Sequence, residues 1–526
     1  MALTLSEQSL DWALEHILNH GDTDIFPEAF EFDAIRNDWQ DVKAWIRSVD
    51  ILKWTVRPYR RCLAPKHRFG FRISTQLDPL DILVYTALVH EVGAILESSR
   101  VSAGEKIVHS YRFDPKPDGR MFSDQFNYQS FQEESRQVCT AVGPTHVVIA
   151  DIADFFPRLY THRIDNALNS ALGIGHMHAV ALRQLLGHWA GSYSYGIPVG
   201  SAASRLIAET TIGDIDQLLL SEGACYVRFA DDFRFFCKSE AEAYRYLALL
   251  ARVLIENHGL TLQQSKTRIV PIDRFREIYL REHQAREVET LSQKFYALLG
   301  QIGIRDIYET INYSNLSTAN KALIDQLNLR QLLSDQLSEE EPDLSLLRFL
   351  LRRMSQLDDV GAVELVVTNI GRLAPVVREA IQFFVKLSSL ADSDKQDVGR
   401  RLLEVYSNKN ASLSHIEYGR MYLLRPFALQ PAWHSSNALV QLYNESIDDF
   451  SRREILLAMG QGHMDFWFRA RKQSLLEMTP WIRRAFIRAA SCLPPDEYKH
   501  WIRGIQGQLD QTEKAIANWS KACPIA

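Results

Sequence analysis

The sequence predicts an α+β chain whose N-terminal half carries short strands and whose C-terminal half is all helix. Residues 147–149, 225–227 and 233–237 are apolar runs too short for helices, as expected of buried strands. Beyond about residue 286 the apolar residues recur at helical spacing: Leu346, Leu347, Leu350, Leu351, Met354 and Leu357 trace one face, with Arg348, Arg352 and Arg353 off it. At 526 residues and 46% hydrophobic content the chain can bury two or three cores. The expected boundaries are 1–50, a helical extension; 51–285, the strand-bearing region; and 286–526, the helical region.

Taken in order, residues 51–77 hold Lys53, Arg57, Arg60, Arg61, Lys66, Arg68 and Arg72 without one acidic residue, interleaved with Trp54, Tyr59, Phe69 and Phe71. Cations neutralise phosphates and rings offer stacking faces, so Arg57, Arg60, Arg61, Lys66, Arg68 and Arg72 are the candidate nucleic-acid contacts; a solvated basic loop is the other reading. Asp78 before Pro79 predicts a capped helix start, and residues 110–113 a strand with one cation, Arg112. The run at 147–149 then delivers Asp151 at its exit. Gly196 and Gly200, around Pro198, let backbone approach a ligand closely. The small residues 201–204 open a helix expected to continue through Leu206, Ile207, Ile215, Leu218 and Leu219. Further on, Thr479 and Pro480 predict a capped helix start, and Pro494 and Pro495 end one helix and begin another. With no strict period, irregular helix pairs stacked as a solenoid fit better than a clean repeat.

The chemistry concentrates at Phe229-Ala230-Asp231-Asp232, between two strand segments. Adjacent carboxylates at a hairpin tip can hold divalent metal against phosphate, although an ordinary polar turn also favours Asp. A second carboxylate, Asp151, at the end of its own buried strand would place three around one metal pair. A polymerase needs such a site, because a hydroxyl is a poor nucleophile unless metal lowers its pKa. His176 and His178, with no further ligands nearby, read as a polar loop.

At these residues the chain resembles the palm of a reverse transcriptase. Asp151 to Pro157 looks like motif A, Tyr195 to Glu209 like motif B, Phe229 to Asp232 like motif C, and Gly259 to Thr267 like motif D. The resemblance implies a right-hand polymerase fingers and palm over 51–285, with Thr75 to Asp81 and Ser110 to Phe113 as finger segments. It implies two Mg²⁺ ions, with Mn²⁺ as an alternative, held by Asp151, Asp231, Asp232 and the backbone carbonyl of Ile152. Phe156 would exclude a 2′-hydroxyl and so favour dNTPs. Arg112 and Lys266 would neutralise triphosphate, and Gly200 and Ser201 would line the nucleotide site.

Motif B departs from the commoner pattern: Val199 stands where many relatives carry Gln, and Arg205 follows Ser204 where they carry Pro. The run Ser204-Arg205-Leu206-Ile207-Ala208-Glu209 resembles bacterial abortive-infection and other defence-associated reverse transcriptases. These have a helical-repeat, HEAT-like domain where others have a compact thumb, as expected here over 286–526. That resemblance implies a DNA polymerase of antiphage defence extending a nucleic-acid or protein primer, templated by a non-coding RNA or untemplated. Its partners would be dNTPs and RNA or single-stranded DNA, and its assembly a homo-oligomer, with a hexamer among the candidates. A retron or mobile-element enzyme copying its own RNA, or an inactive palm serving as a scaffold, are the competing readings.

The net charge of −6 and pI near 6.3 are acidic for a protein that grips long nucleic acid. Residues 1–19 lack a basic start and a continuous apolar run, and no segment reads as membrane-spanning, so a soluble, cytoplasmic protein is expected. Cys62, Cys139, Cys225, Cys237, Cys492 and Cys523 show no close pairing, which favours a reducing compartment without zinc. Trp467, Phe468, Trp481, Trp501 and Trp519 are expected either in the core or at a subunit contact.

Overall fold

A computed structural model describes residues 2–141, 143–277, 291, 294, 295, 317–325, 327–433 and 437–525. The chain divides into two compact units, one of Met1–Arg61 with Ile73–Arg281 and one of Cys62–Arg72 with Glu282–Ala526. The fold is α+β, with its described strands before residue 272 and a helical C-terminal region.

In the first unit, helix α1 (Glu7–His20) begins at Ser6, whose Oγ accepts from the Ser9 N–H at 3.1 Å. Helices α2 (Glu31–Asn37) and α3 (Trp39–Ser48) follow; the two-stranded sheet of β1 (Arg60–His67) and β2 (Gly70–Gln76) comes next in the chain, its residues Cys62–Arg72 belonging to the second unit. Helix α4 (Pro79–Ser98) starts as expected, with Asp78 accepting from the Leu80 N–H at 3.0 Å and Pro79 in the first turn, where a missing N–H costs nothing. It also corrects the reading that no segment suits a membrane: by length and composition alone it is sufficient, with a mean hydropathy of 1.5 over an 18-residue stretch. However, 78% of that apolar stretch is buried inside the protein, against α1 among others, as in a core helix.

After α5 (Tyr128–Thr140) comes the central sheet: β3 (His146–Asp151), β4 (Tyr226–Phe229), β5 (Asp232–Cys237) and β6 (Arg268–Pro271), in the order β4-β5-β3-β6. Its pairings are all antiparallel. Strand β3 is internal and covered on both faces, which explains an apolar run without alternation. One face packs Val147, Ile149, Val227, Phe236 and Val270 on Phe131 and Cys139 of α5 and on Phe275 of α12 (Ile272–Phe275). The other meets α11 (Glu240–Val253), where Tyr226, Phe233, Phe235 and Tyr246 stack ring on ring.

Between β3 and β4 lie α6 (Phe155–Arg158), α7 (Thr161–Leu172), α8 (Met177–Ala190), α9 (Ala202–Thr211) and α10 (Gly213–Ser221). The continuous helix expected from Leu206 to Leu219 is in fact two, interrupted at Ile212. Three β-branched residues and Gly213 sit at the break. The Thr210 and Thr211 hydroxyls donate back to the carbonyls of Leu206 and Ile207 at 2.9 and 2.7 Å, a bond that bends helices. His178 lies in α8 rather than in a loop, with its ring paired to Glu91 at 2.6 Å.

In the second unit the described helices are α13 (Thr318–Asp325), α14 (Leu329–Ser338), α15 (Leu344–Gln356), α16 (Val363–Thr368), α17 (Val377–Lys386) and α18 (Asp392–Ser407). They continue with α19 (Glu417–Leu429), α20 (Asn437–Glu445), α21 (Asp449–Gln461), α22 (Asp465–Arg471), α23 (Pro480–Ala489), α24 (Pro495–Ile505) and α25 (Gln511–Ala522). Every second helix from α15 to α25 packs on the next of that set, forming one layer of a solenoid, and α18 and α20 lie against α19 and α21. The apolar face expected on α15 is buried, and Thr479-Pro480 and Pro494-Pro495 begin helices where expected. Trp467, Phe468 and Trp481 are core residues, while Trp501 and Trp519 are half-buried.

Candidate active site at the ends of β3 and β5

Antiparallel pairing alone brings the separated carboxylates together. Asp151, the last residue of β3, is the register partner of Asp232, the first of β5. Phe229 also pairs with Asp232, so β4 and β5 are joined by the two-residue turn Ala230-Asp231, with Ala230 at φ +52°. The Ile152 N–H donates to the Asp231 carbonyl at 2.9 Å, tying the exit of β3 to this turn. On its other side the same segment binds the 261–263 loop: the Ala153 N–H donates to Thr261 O at 2.8 Å and the Gln263 N–H to Asp151 O at 2.7 Å. That loop delivers Lys266, whose Nζ lies 2.6 Å from Asp151 Oδ2.

The electrostatics follow from this crowding. Burial pushes the Asp232 carboxyl up to about 6; Arg234 holds it down, while Asp151 adds to the rise. Partial burial works against the Lys266 ammonium, yet its bond to Asp151 and the charges of Asp151, Asp231 and Asp232 raise its pKa overall. Three carboxylates thus act on one cation. Among the described residues no three His, Cys, Asp or Glu side chains close a metal cage by themselves. Hard oxygens from an incomplete set suit Mg²⁺, which keeps waters and takes one or two carboxylates plus substrate phosphates.

Phe156 lies on α6, half-buried, with its ring 5.1 Å from that of Phe155, which is core. Asp154, at φ +47°, turns the chain into α6. The Ile197 N–H donates to Phe156 O at 3.2 Å, so the loop between Gly196 and Ser201 is fixed to the Phe156 segment.

Several sequence-predicted contacts are engaged elsewhere. Arg112 is 3% exposed: its guanidinium donates to Glu97 Oε1 at 2.8 Å and to the carbonyls of Val101 and Val108, which corrects its reading as a triphosphate ligand. Gly200, at φ +110°, does have something close to it, but a Cβ there would come within 2.4 Å of Thr23 Oγ1, so a segment of this chain makes the close approach. Ser201 is buried, and its Oγ caps α9 by accepting from the Ser204 N–H at 3.2 Å.

The basic stretch is divided. Arg57, Arg60 and Arg61 belong to the first unit; Lys66, Arg68 and Arg72 belong to the second. Arg57 pairs with Asp81 at 3.2 Å and lies over Trp54, and Arg60 is buried and donates to Gln76, so neither presents its charge to solvent as a phosphate contact would. Arg61, Lys66 and Arg68 are exposed and Arg72 half-buried.

Arg205, which the sequence marked only as a departure in motif B, has its guanidinium 5.3 Å from the Tyr111 ring and 2.8 Å from Asp24. Sequence reasoning missed Arg228, fully buried in β4. The signal for it was a cation inside an otherwise apolar strand.

Residues 105–295 match the family Reverse transcriptase (RNA-dependent DNA polymerase). A search of curated proteins finds no match. Among solved structures, a partial Cas6-RT-Cas1–Cas2 complex aligns at 20% identity and a TM-score of 0.26, over 48% of this chain and 42% of that one. Thus the chain spans less than half the length of that relative. Telomerase from Candida albicans, in complex with a fragment of telomeric RNA, aligns at 13% identity and a TM-score of 0.30, over 71% and 69% of the two chains. Apo telomerase from Candida tropicalis aligns at 9% identity and a TM-score of 0.28, over 94% and 85%.

Proposed function

From the premise that residues 105–295 hold a reverse transcriptase domain, an RNA-directed DNA polymerase and hence a nucleotidyltransferase, we propose that this chain adds dNTPs to a primer in antiphage defence. The observation that carries the polymerase reading is the Asp151–Asp232 register pair beside the Asp231 turn, with Lys266 bonded across it. Asp151, Asp231 and the Ile152 carbonyl would hold Mg²⁺ or Mn²⁺, and Asp232 would complete the set. The metal, when bound, lowers the pKa of the attacking hydroxyl and offsets charge on the α-phosphate. Phe156 lies under the sugar and excludes a 2′-hydroxyl; Lys266 supplies a cation to the phosphates. The hydroxyl gives its proton to water, its oxygen forms a bond to the α-phosphorus, and the bond from that phosphorus to the bridging oxygen breaks as pyrophosphate leaves.

The defence assignment is supported by the motif B variant around Val199 and Arg205 and by a helical array after the palm. In this reading residues 1–50 are a helical extension, 51–285 the fingers and palm, and 286–526 the repeat domain. RNA or single-stranded DNA, including a dedicated non-coding RNA, is the partner, with Arg61, Lys66 and Arg68 as exposed contacts. The protein acts in the cytoplasm, where its six free cysteines remain reduced, and as a homo-oligomer.

Labelled-dNTP incorporation by the purified chain, with sequencing of the nucleic acid that copurifies, tests this reading. A non-coding RNA and DNA complementary to it support templated synthesis, and DNA of no matching sequence supports untemplated synthesis. Copies of the flanking element would favour a mobile-element enzyme, and no incorporation with either metal an inactive scaffold. Light scattering at micromolar protein should report more than one chain.

A further inference from the structure

Beneath the carboxylate turn lies a closed ionic network that the chemistry above does not use. Ser110 and Glu209 are both fully buried, as is Arg228; Asp216 is 1% exposed and Arg100 6%. Backbone bonds bring Ser110 there: the Arg228 N–H donates to Ile107 O at 2.8 Å and the His109 N–H to Arg228 O at 3.0 Å, so residues 107–109 run along the edge of β4.

Ala230 needs support. At φ +52° its Cβ crowds the following carbonyl, a conformation that an L-residue other than Asn or Asp seldom adopts. Both of its backbone polar groups are held: its N–H donates to Ser110 Oγ at 2.9 Å, and its carbonyl accepts from Arg228 Nη1 at 3.3 Å. Glu209 bonds to both of these partners. Ser110 donates its only hydroxyl proton to Glu209 Oε1 at 2.6 Å, which leaves a lone pair for the Ala230 N–H. Arg228 is held bidentate by Asp216, Nε to Oδ1 at 2.7 Å and Nη2 to Oδ2 at 2.6 Å, and its Nη1 reaches Glu209 Oε2 at 2.9 Å. Arg100 Nη2 donates to the same Oε2 at 2.8 Å.

A buried ionic cluster is a poor stabiliser, since apolar groups of similar volume often serve as well. Its value here is directional, because it fixes the conformation of one residue, the one that aims Asp231. We propose that Glu209 is a positioning residue for the metal-binding carboxylates: through Ser110 and Arg228 it clamps Ala230 in the left-handed conformation that presents Asp231 and Asp232. This rests on the reading of Asp231 as a metal ligand.

The test is direct Mn²⁺ binding to the purified full-length chain, by the electron paramagnetic resonance of the free ion without nucleotide, beside kcat and KM for dNTP. Ser110→Ala removes the clamp on the Ala230 N–H and leaves all charges in place. Its Mn²⁺ affinity and kcat should each fall about 10- to 100-fold, the range for groups that orient metal ligands. Its KM for dNTP should stay within about twofold, since no substrate contact is touched. Adding Ala230→Gly to Ser110→Ala should restore part of the affinity, because glycine adopts positive φ without strain. Glu209→Gln should show the same loss where it folds. Wild-type Mn²⁺ affinity and kcat in Ser110→Ala, in a series where Asp231→Asn abolishes binding, would overturn the positioning role alone. Unchanged binding in Asp231→Asn would overturn the metal reading and this inference with it.

Discussion

The two units place their unusual backbone in different settings. In the first, Lys106 has positive φ at the end of a short 3-10 turn, and Tyr111, Asp154 and Ala230 have it on the segments that carry Ser110, Phe156 and Asp231. In the second, the non-glycine residues described with positive φ are Asn328, Asp358 and His463, each at a helix boundary. There the conformation serves chain reversal, and Asn and Asp tolerate it well. Alanine has no such tolerance, so Ala230 persists only because its surroundings over-determine it. Among the described residues, positive φ outside glycine accompanies the candidate site at three positions of the first unit and punctuates helices at Lys106 and in the second.

The largest effect expected from breaking that contrast is at Asp231. Asp231→Asn should lower dNTP incorporation about a thousandfold or more, because an amide cannot supply the anionic oxygen that holds Mg²⁺ against the phosphates. Circular dichroism should be unchanged, and full activity in a labelled-dNTP assay would sink the assignment. The second unit should answer to packing alone: Phe384 is fully buried on α17, and Phe384→Ala should destabilise the protein by about 3–5 kcal/mol, measured by denaturant unfolding. A loss under about 1 kcal/mol would mean that the array tolerates cavities.

A smaller change is expected at the sugar. Phe156→Ala should raise NTP incorporation relative to dNTP about tenfold or more by removing a steric block. An unchanged ratio would assign Phe156 to the core with Phe155.

Asp232 sharpens the contrast through pH. Its folded-state pKa, about 6, is raised above the ordinary 3.8, so ionisation is harder in the fold than in the unfolded chain. The cost to stability is present above about pH 6 and is relieved as pH falls through that value. Asp232→Asn should therefore raise Tm at pH 7.5, by a gain on the order of 1–3 kcal/mol that shrinks toward pH 4, while abolishing incorporation. A pH-independent change would contradict it. The least effect is expected at Phe466, 82% exposed on α22: Phe466→Ser should stay within about 0.5 kcal/mol, unless light scattering shows that a second copy covers it.

Local pattern determined much of this. The apolar run at 147–149, the capped start at Asp78-Pro79 and the helical period of residues 346–357 depend only on neighbours in the chain, and each formed where expected. That Asp151 should meet the Asp-Asp tip was also legible, because both carboxylates end short strands of one sheet. Only the tertiary structure decided which cations are already paired. Arg112 turns inward to Glu97 and Arg57 to Asp81, Arg61 reaches the carbonyl of Trp189, and Lys266 crosses to Asp151. A guanidinium reads the same in sequence whether it faces solvent or a buried carboxylate. Periodicity reports which face of an element is apolar, but a charge pair is fixed by what lies opposite, here often more than a hundred residues away.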